Sequence, residues 1–377
     1  MTKQSPTNLI PLVDLRLQHE ALKSELDQAL SRVFTSSDFI LGREVEAFET
    51  EFAAFCGVEH AVGCGNGTDA LELALWAVGV KPGDEVITVS HTFAATGEAI
   101  VRCGAVPRFV DVNPDDLLMD LSRMEMAINP KTRAIVAVHL YGNCIDIKQI
   151  VSVARSRGIK VIEDAAQAHG GTIGGLRAGS LGDVGCFSFY PAKNLGACGD
   201  AGALVTSDSD LAGRVRQARD HGRQGKYEHA FIGRNSRMDA VQGAILRIKL
   251  RHLEKWNKRR RQIADRYCRQ LALFPGLRLV NPPPDSEPSR HLFVVQIDER
   301  DAARQALLRS GISTGVHYPI PLHKQSAFTG LYQPTDASLP VTEAAASRVL
   351  SLPIFPEMTD EAVDRVAKSL AAAISKG

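Results

Sequence analysis

Between residues 60 and 163 the chain alternates short apolar or β-branched runs with stretches of helical spacing, and few folds accommodate that alternation. Residues 61–62 enter a glycine-rich turn and a helix that starts near Thr68. The turn Lys81-Pro82-Gly83-Asp84 introduces a β-branched run at 86–90, a helix continues through Ile100, and another strand follows at 108–112. Residues 134–139 and 160–163 read as buried strands on either side of a helix at 147–157. A helix between two strands returns the chain to the same end of a sheet, so the strands pair in parallel and both faces are covered. Helical spacing at 14–33 and 44–55 precedes this region.

The pattern changes near residue 245. Residues 245–272 have the spacing of one long amphipathic helix studded with Arg and Lys, whose charges read as a solvated face with stems lying on apolar neighbours. A Pro-rich stretch at 281–288 separates it from a strand at 291–297, a helix near 302–310 and a C-terminal helix from about residue 359. The expected fold class is therefore α/β: a large, mostly parallel sheet domain covered by helices at 1–245, then a smaller α+β domain at 246–377. The 377 residues suffice for both.

Composition narrows the function. A net charge of +1 argues against a nucleic-acid or acidic-membrane partner. No apolar run approaches the roughly 20 residues that span a bilayer, and the first residues, MTKQSPTNLIPLVDL, lack the apolar core of a signal peptide. The seven cysteines (Cys56, Cys64, Cys103, Cys144, Cys186, Cys198, Cys268) are odd in number and form no C-x-x-C pair. They read as scattered thiols of a cytoplasmic protein, with neither a disulfide framework nor a metal site expected.

Three stretches carry chemistry. In GNGTDAL (65–71), glycines after a strand and Thr68-Asp69 at a helix start offer unpaired N–H groups and a hydroxyl to an anion; phosphate is the natural occupant, though Thr68 and Asp69 also suit simple helix capping. The spacing is not G-x-G-x-x-G, which disfavours a dinucleotide site. In VIEDAAQAHG (161–170), Glu163 and Asp164 end a strand, where alternation sends one inward toward a cationic partner and the other away; both also suit loop capping. In CFSFYPAKNLG (186–196), Lys193 follows an aromatic strand in a glycine-rich loop, a place for a buried amine suited to Schiff-base chemistry or for an ordinary solvated lysine. In that order, a phosphate cradle, a strand-end acid and a loop amine are what pyridoxal 5'-phosphate requires.

On these motifs the chain resembles the DegT/StrS sugar aminotransferases of pyridoxal-phosphate fold type I, from about residue 10 to 356. The resemblance implies that Gly67, Thr68 and Ser188 bind the cofactor phosphate, that Phe93 of HTFAAT (91–96) stacks on the pyridine ring, and that Asp164 pairs with the ring nitrogen. Gln167 would bond the ring hydroxyl, and Lys193 would be the Schiff-base lysine. Asn235 of GRNSRMD (233–239) matches an Asn that reaches the phosphate of the neighbouring subunit, implying a homodimer with shared active sites. Arg237 matches an Arg near the sugar nucleotide in some members, and an ion pair with a local acid suits it equally. His317 and Tyr318 of GVHYPIPLH (315–323) match contacts to the sugar nucleotide. The departures are His91 and Asp220-His221-Gly222, neither in the cofactor constellation.

The implied substrates are an amino-acid donor, L-glutamate, and a 3-keto sugar carried on dTDP, or a 3-keto uronic acid carried on UDP. The rivals are amination of a 4-keto sugar or keto-cyclitol, the dehydratase branch in which His replaces the lysine, and a non-catalytic sensor. Lys193 counts against the dehydratases, and Lys193 with Asp164 against the sensor.

Overall fold

A computed structural model describes residues 9–334 and 338–374; the first eight residues of the leader reading lie outside them. Helices α1 (Leu15–Ser36) and α2 (Gly42–Cys56) open the chain. There follow β1 (His60–Cys64), α3 (Gly67–Ala77), β2 (Glu85–Val89), α4 (Ala94–Arg102), β3 (Val106–Val110), α5 (Leu121–Ala127), β4 (Thr132–Val138), α6 (Ile147–Arg155) and β5 (Lys160–Asp164). Each expected strand and helix of this region is present within a few residues of its expected bounds. Two short strands, β6 (Thr172–Ile173) and β7 (Leu176–Arg177), precede β8 (Val184–Ser188), β9 (Gly202–Thr206) and α7 (Ser209–Ala218).

The main sheet has eight strands in the order β1-β9-β8-β5-β4-β2-β3-β13, with β13 (Gln333–Pro334) at the edge. Strand β9 alone runs antiparallel to its neighbours, so the sheet is mixed but mostly parallel. Its central strands are buried along their length because helices cover both faces, which is why they read as continuous apolar runs. On one face Leu71, Leu75 and Ile100 of α3 and α4 pack over the strands; on the other Met124, Ile147 and Ile150 of α5 and α6 do so.

The single helix expected at 245–272 is two. α8 (Ala240–Leu250) ends at Arg251, and α9 (Leu253–Leu271) begins after His252, whose backbone has φ −100°. The two halves serve different cores. Ala244, Ile245 and Ile248 pack against α1, whereas Ile263, Tyr267 and Leu271 pack against a second sheet. Nor is the basic face wholly solvated. Arg259 and Arg266 pair with Asp360 and Asp364 at the surface, but Lys249 and Arg260 are buried and donate to backbone carbonyls.

That second sheet is antiparallel, with β10 (Leu277–Leu279), β12 (Phe293–Ile297) and β14 (Val349–Leu352) in the order β10-β12-β14. Helices α10 (Arg300–Arg309) and α12 (Asp360–Ile374) cover it, and α11 (Pro340–Arg348) leads into β14. The Pro-rich stretch contributes β11 (Ser286–Glu287), which pairs with β6. No helix among the described residues is long and apolar enough to cross a membrane.

Candidate active site

The carboxyl ends of β1, β4, β5 and β8 open into a cleft of about 790 Å³. At its first wall, Asn66 caps α3 by accepting the Asp69 N–H at 2.9 Å. Ser236 braces the turn, accepting the Gly65 N–H at 3.1 Å and donating to Asp69 at 2.6 Å. The first N–H groups of α3 have no partner within the helix and carry its positive dipole end. A Cβ on Gly67 would lie 2.6 Å from Cβ of Ser188, so only glycine lets the turn approach that hydroxyl. Gly67, Thr68 and Ser188 thus line one concavity whose N–H groups and hydroxyls suit an oxyanion.

Asp164 ends β5, level with Val138 on one side and Cys186 on the other. It is buried and lines the cleft. Thr96 donates to its Oδ2 at 2.8 Å, and the Ala166 N–H to its Oδ1 at 3.2 Å. Burial pushes the carboxyl above its ordinary range, while these two bonds and the nearby Lys193 pull it back. Glu163 turns the other way, as strand alternation requires. It accepts from His139 Nε2 at 2.9 Å and from the N–H groups of Gly179, Leu181 and Gly182 at 2.7, 2.8 and 2.6 Å. Because His139 Nδ1 accepts the Ile145 N–H, its proton sits on Nε2 and is given to Glu163.

Lys193 faces the same cleft from the loop after β8. Burial draws its amine down to about 8, against the pull of Asp164. The loop is pinned on the next residue: Asn194 donates to Asn257 and to the Ser289 carbonyl, both at 2.8 Å, and accepts from His291 Nδ1 at 3.2 Å. Phe93 is 56% exposed, with its ring centroid 5.8 Å from that of Tyr318, so it serves the cleft and not the core. Gln167 accepts the Tyr141 N–H at 2.6 Å and donates to the Tyr318 hydroxyl at 3.1 Å. Burial, with Lys193 nearby, depresses His317 to about 4.

Nine of the eleven residues singled out from the sequence therefore line one cleft. Asn235 and Arg237 do not. Asn235 is exposed and its backbone bridges Asp220; Arg237 donates to Asp220 at 3.0 Å, the ion pair that sequence left as its alternative. Sequence reasoning missed Thr96, His139, His291 and Arg260, which also shape the site. Thr96 had a signal, since it lies one helical turn after Phe93 in the same motif. His291 and Arg260 had none, as each reads alone as part of a strand or a basic helix.

The donor set fits pyridoxal 5'-phosphate. It offers an amine free of any ion pair among the described residues, a buried carboxylate without a cationic ion-pair partner there, an exposed aromatic face and an oxyanion cradle, all within one enclosure.

Comparison with known proteins agrees. The chain is 46% identical over 358 residues to a dTDP-3-amino-3,4,6-trideoxy-alpha-D-glucose transaminase of Streptomyces venezuelae, covering 95% of this chain and 94% of the relative. It is 44% identical over 358 residues to a UDP-N-acetyl-3-dehydro-alpha-D-glucosamine 3-aminotransferase of Acidithiobacillus ferrooxidans, covering 95% and 96%. The crystal structure of S. venezuelae DesV with a ketimine intermediate superposes with a TM-score of 0.94 at 45% identity, covering 97% of this chain and 98% of that one. Residues 20–371 match the DegT/DnrJ/EryC1/StrS aminotransferase family as a whole. The chain belongs to that family and is a pyridoxal-phosphate-dependent aminotransferase of fold type I.

Proposed function

We propose that the enzyme moves the amino group of an amino acid, L-glutamate, onto the ring ketone of a nucleotide-linked sugar, a dTDP-3-keto-6-deoxyhexose or a UDP-linked 3-keto uronic acid. The observation that carries this reading is the meeting of Lys193 and Asp164 in one cleft whose far wall is the His317–Tyr318 segment. The relatives just named act on 3-amino or 3-dehydro sugars joined to dTDP or UDP, which supports both the ketone and its carrier. A mass-spectrometric screen of 3-keto and 4-keto sugar nucleotides, with keto-cyclitols alongside, tests it. An amine product from a cyclitol alone overturns the sugar reading.

Pyridoxal 5'-phosphate, when bound, supplies a carbonyl that takes up the amino group and a ring that delocalises an electron pair. The protein's part follows from its own groups. Lys193, its amine drawn down to about 8 by burial, gives up its proton more readily than an ordinary lysine, which suits it both as the covalent tether and as the base that carries a proton to and from the reacting carbon. Asp164 would pair its carboxylate with the ring nitrogen and keep that nitrogen protonated, and Thr96 holds the carboxylate in orientation. The N–H groups of Gly67 and Thr68, with the Ser188 hydroxyl, would hold the phosphate. The second N–H of Gln167 is available to a ring hydroxyl, since its first goes to Tyr318. Phe93, with its ring exposed in the cleft, would cover one face of the pyridine ring.

The same reading makes the enzyme a cytoplasmic homodimer in which Asn235 completes the neighbouring subunit's phosphate site. Asn235 lies off its own cleft on an exposed segment that also presents Tyr227 and Ile232 to solvent, and this arrangement supports a role across an interface.

A further inference from the structure

His91 departs from the motif it sits in and touches none of the groups assigned above to the cofactor. Its side chain is wholly buried, with Nε2 2.7 Å from the Tyr141 hydroxyl. That hydroxyl lies 2.5 Å from the carbonyl oxygen of His317. A carbonyl oxygen only accepts, so the single phenolic proton of Tyr141 goes to His317. The Tyr141 oxygen must then accept from His91, which fixes the imidazole as the tautomer protonated on Nε2. Nδ1 keeps a bare lone pair and has no partner among the described residues. Burial keeps this imidazole neutral, holding it down at about 4 against the pull of Asp111.

Tyr141 is itself held at φ +63°, in the left-handed region that a bulky residue rarely adopts. From that position it reaches both members of the substrate-facing pair. Its hydroxyl takes the carbonyl of His317, and its N–H holds Gln167, which donates to the Tyr318 phenol. Ser90, the residue before His91, pins the far end of the same segment. Ser90 Oγ lies 2.7 Å from His323 Nδ1 and accepts the His323 N–H at 3.0 Å, while the Ser90 carbonyl accepts the Leu322 N–H at 3.0 Å. Two adjacent residues at the end of β2 thus tie down both ends of 317–323.

We propose that His91 is a positioning residue for the acceptor substrate: through the Tyr141 hydroxyl it fixes the His317 backbone, and so the placement of His317 and Tyr318 against the nucleotide sugar. Hydrogen bonds in a buried chain polarise one another, so losing the first donor loosens the next. The proposal rests on the reading that His317 and Tyr318 meet the sugar nucleotide, and the test separates the two.

The two half-reactions are followed by cofactor absorbance, one with L-glutamate and one with whichever dTDP- or UDP-linked keto sugar the screen returns as aminated. In His91→Phe and Tyr141→Phe the acceptor KM should rise about tenfold, the weight of one net hydrogen bond. The donor half-reaction and the cofactor spectrum should stay native. The double variant should be no worse than the worse single, because both break one chain. His91→Gln, which returns a donor near Nε2, should recover acceptor KM to within about threefold, about 0.6 kcal/mol. A native acceptor KM in His91→Phe, or an equal loss in both half-reactions, overturns the proposal. Should that variant fail to fold, Tyr141→Phe decides by the same split. Tyr318→Phe and His317→Ala serve as controls. Native acceptor kinetics in both sink the sugar-contact reading, whereas native kinetics in His91→Phe beside impaired Tyr318→Phe sink only the role of His91.

Discussion

Thr96 donates its hydroxyl proton to Oδ2 of Asp164 at 2.8 Å, across the buried space between α4 and β5. The bond matters because burial alone would drive Asp164 toward its neutral form. Asp164→Asn removes the charge outright, and turnover should fall by more than the roughly 1.5–3 kcal/mol that a charge-assisted bond contributes to binding. Thr96→Val removes one bond and keeps the charge, so its loss should be about tenfold. Single-turnover rates with glutamate check the order. Near-native turnover in Asp164→Asn would assign the role elsewhere, and Glu163, already committed to four donors, is no substitute.

The Lys193 amine, drawn down to about 8 by burial, should set the pH dependence of cofactor attachment. Only the neutral amine attacks an aldehyde, so uptake of pyridoxal 5'-phosphate by the cofactor-free protein should speed up as pH rises through about 8. Because the charge of Asp164 raises that value, Asp164→Asn should move the midpoint lower. Lys193→Ala should fold normally yet retain no cofactor after borohydride treatment and dialysis. A midpoint near the ordinary lysine value of 10.5 would contradict the burial argument, and retained cofactor in Lys193→Ala would mean that another lysine holds it.

Much of this was legible in the sequence, for identifiable reasons. Alternating strands and helices follow from local periodicity, and Gly67, Asp164 and Lys193 sit in motifs whose spacing is itself the chemistry. The reversal of β9 was not legible, because pairing direction is decided by neighbours distant in the chain. Neither was the break at Arg251-His252, which has no Gly or Pro to mark it and arises because α8 and α9 pack into different cores. Arg260 failed for a related reason: among four basic residues in a row, composition cannot tell which one turns inward. Its neighbours find carboxylates at the surface, while it donates to the Ile354 carbonyl at 2.9 Å.

Glu163 should matter for stability and not for chemistry. Burial opposes its charge, yet His139 and the N–H groups of Gly182 and Gly179 outweigh it, so the folded carboxyl titrates below its ordinary 4.5. A carboxylate depressed in the folded state stabilises the fold fully above its unfolded value and loses that contribution as pH falls through the folded one. Glu163→Gln, which turns an amide toward backbone donors, should cost about 1.5–3 kcal/mol at neutral pH, the weight of a hydrogen bond to a charged group. Denaturant titrations should show that gap narrowing in acid, below about 4.5, with the cofactor spectrum unchanged in the folded variant. A gap that stays constant down to about pH 3, well below the ordinary glutamate value, would place the charge outside the stabilising network.

The last prediction concerns assembly. If Asn235 completes the phosphate site of a neighbouring subunit, no monomer has a whole cofactor pocket, and the protein should be an isologous dimer with two active sites at the interface. Cofactor that binds only the assembled form should then stabilise the dimer by mass action. Lys193→Ala is inactive for want of its amine, and Asn235→Asp should be inactive because its charge faces the phosphate. In a mixed dimer of these two inactive proteins, one site takes the amine of the Asn235→Asp chain and the native Asn235 of the Lys193→Ala chain, while the other site collects both lesions. Mixing equal amounts should therefore restore activity, up to about a quarter of that of the same amount of native protein once exchange is complete, since about half of the dimers are mixed and each carries one intact site of two. Subunit exchange is followed separately by pull-down of differently tagged chains. Recovered turnover that tracks the exchanged fraction supports a shared site; exchange without any recovery would place Asn235 in the service of its own subunit.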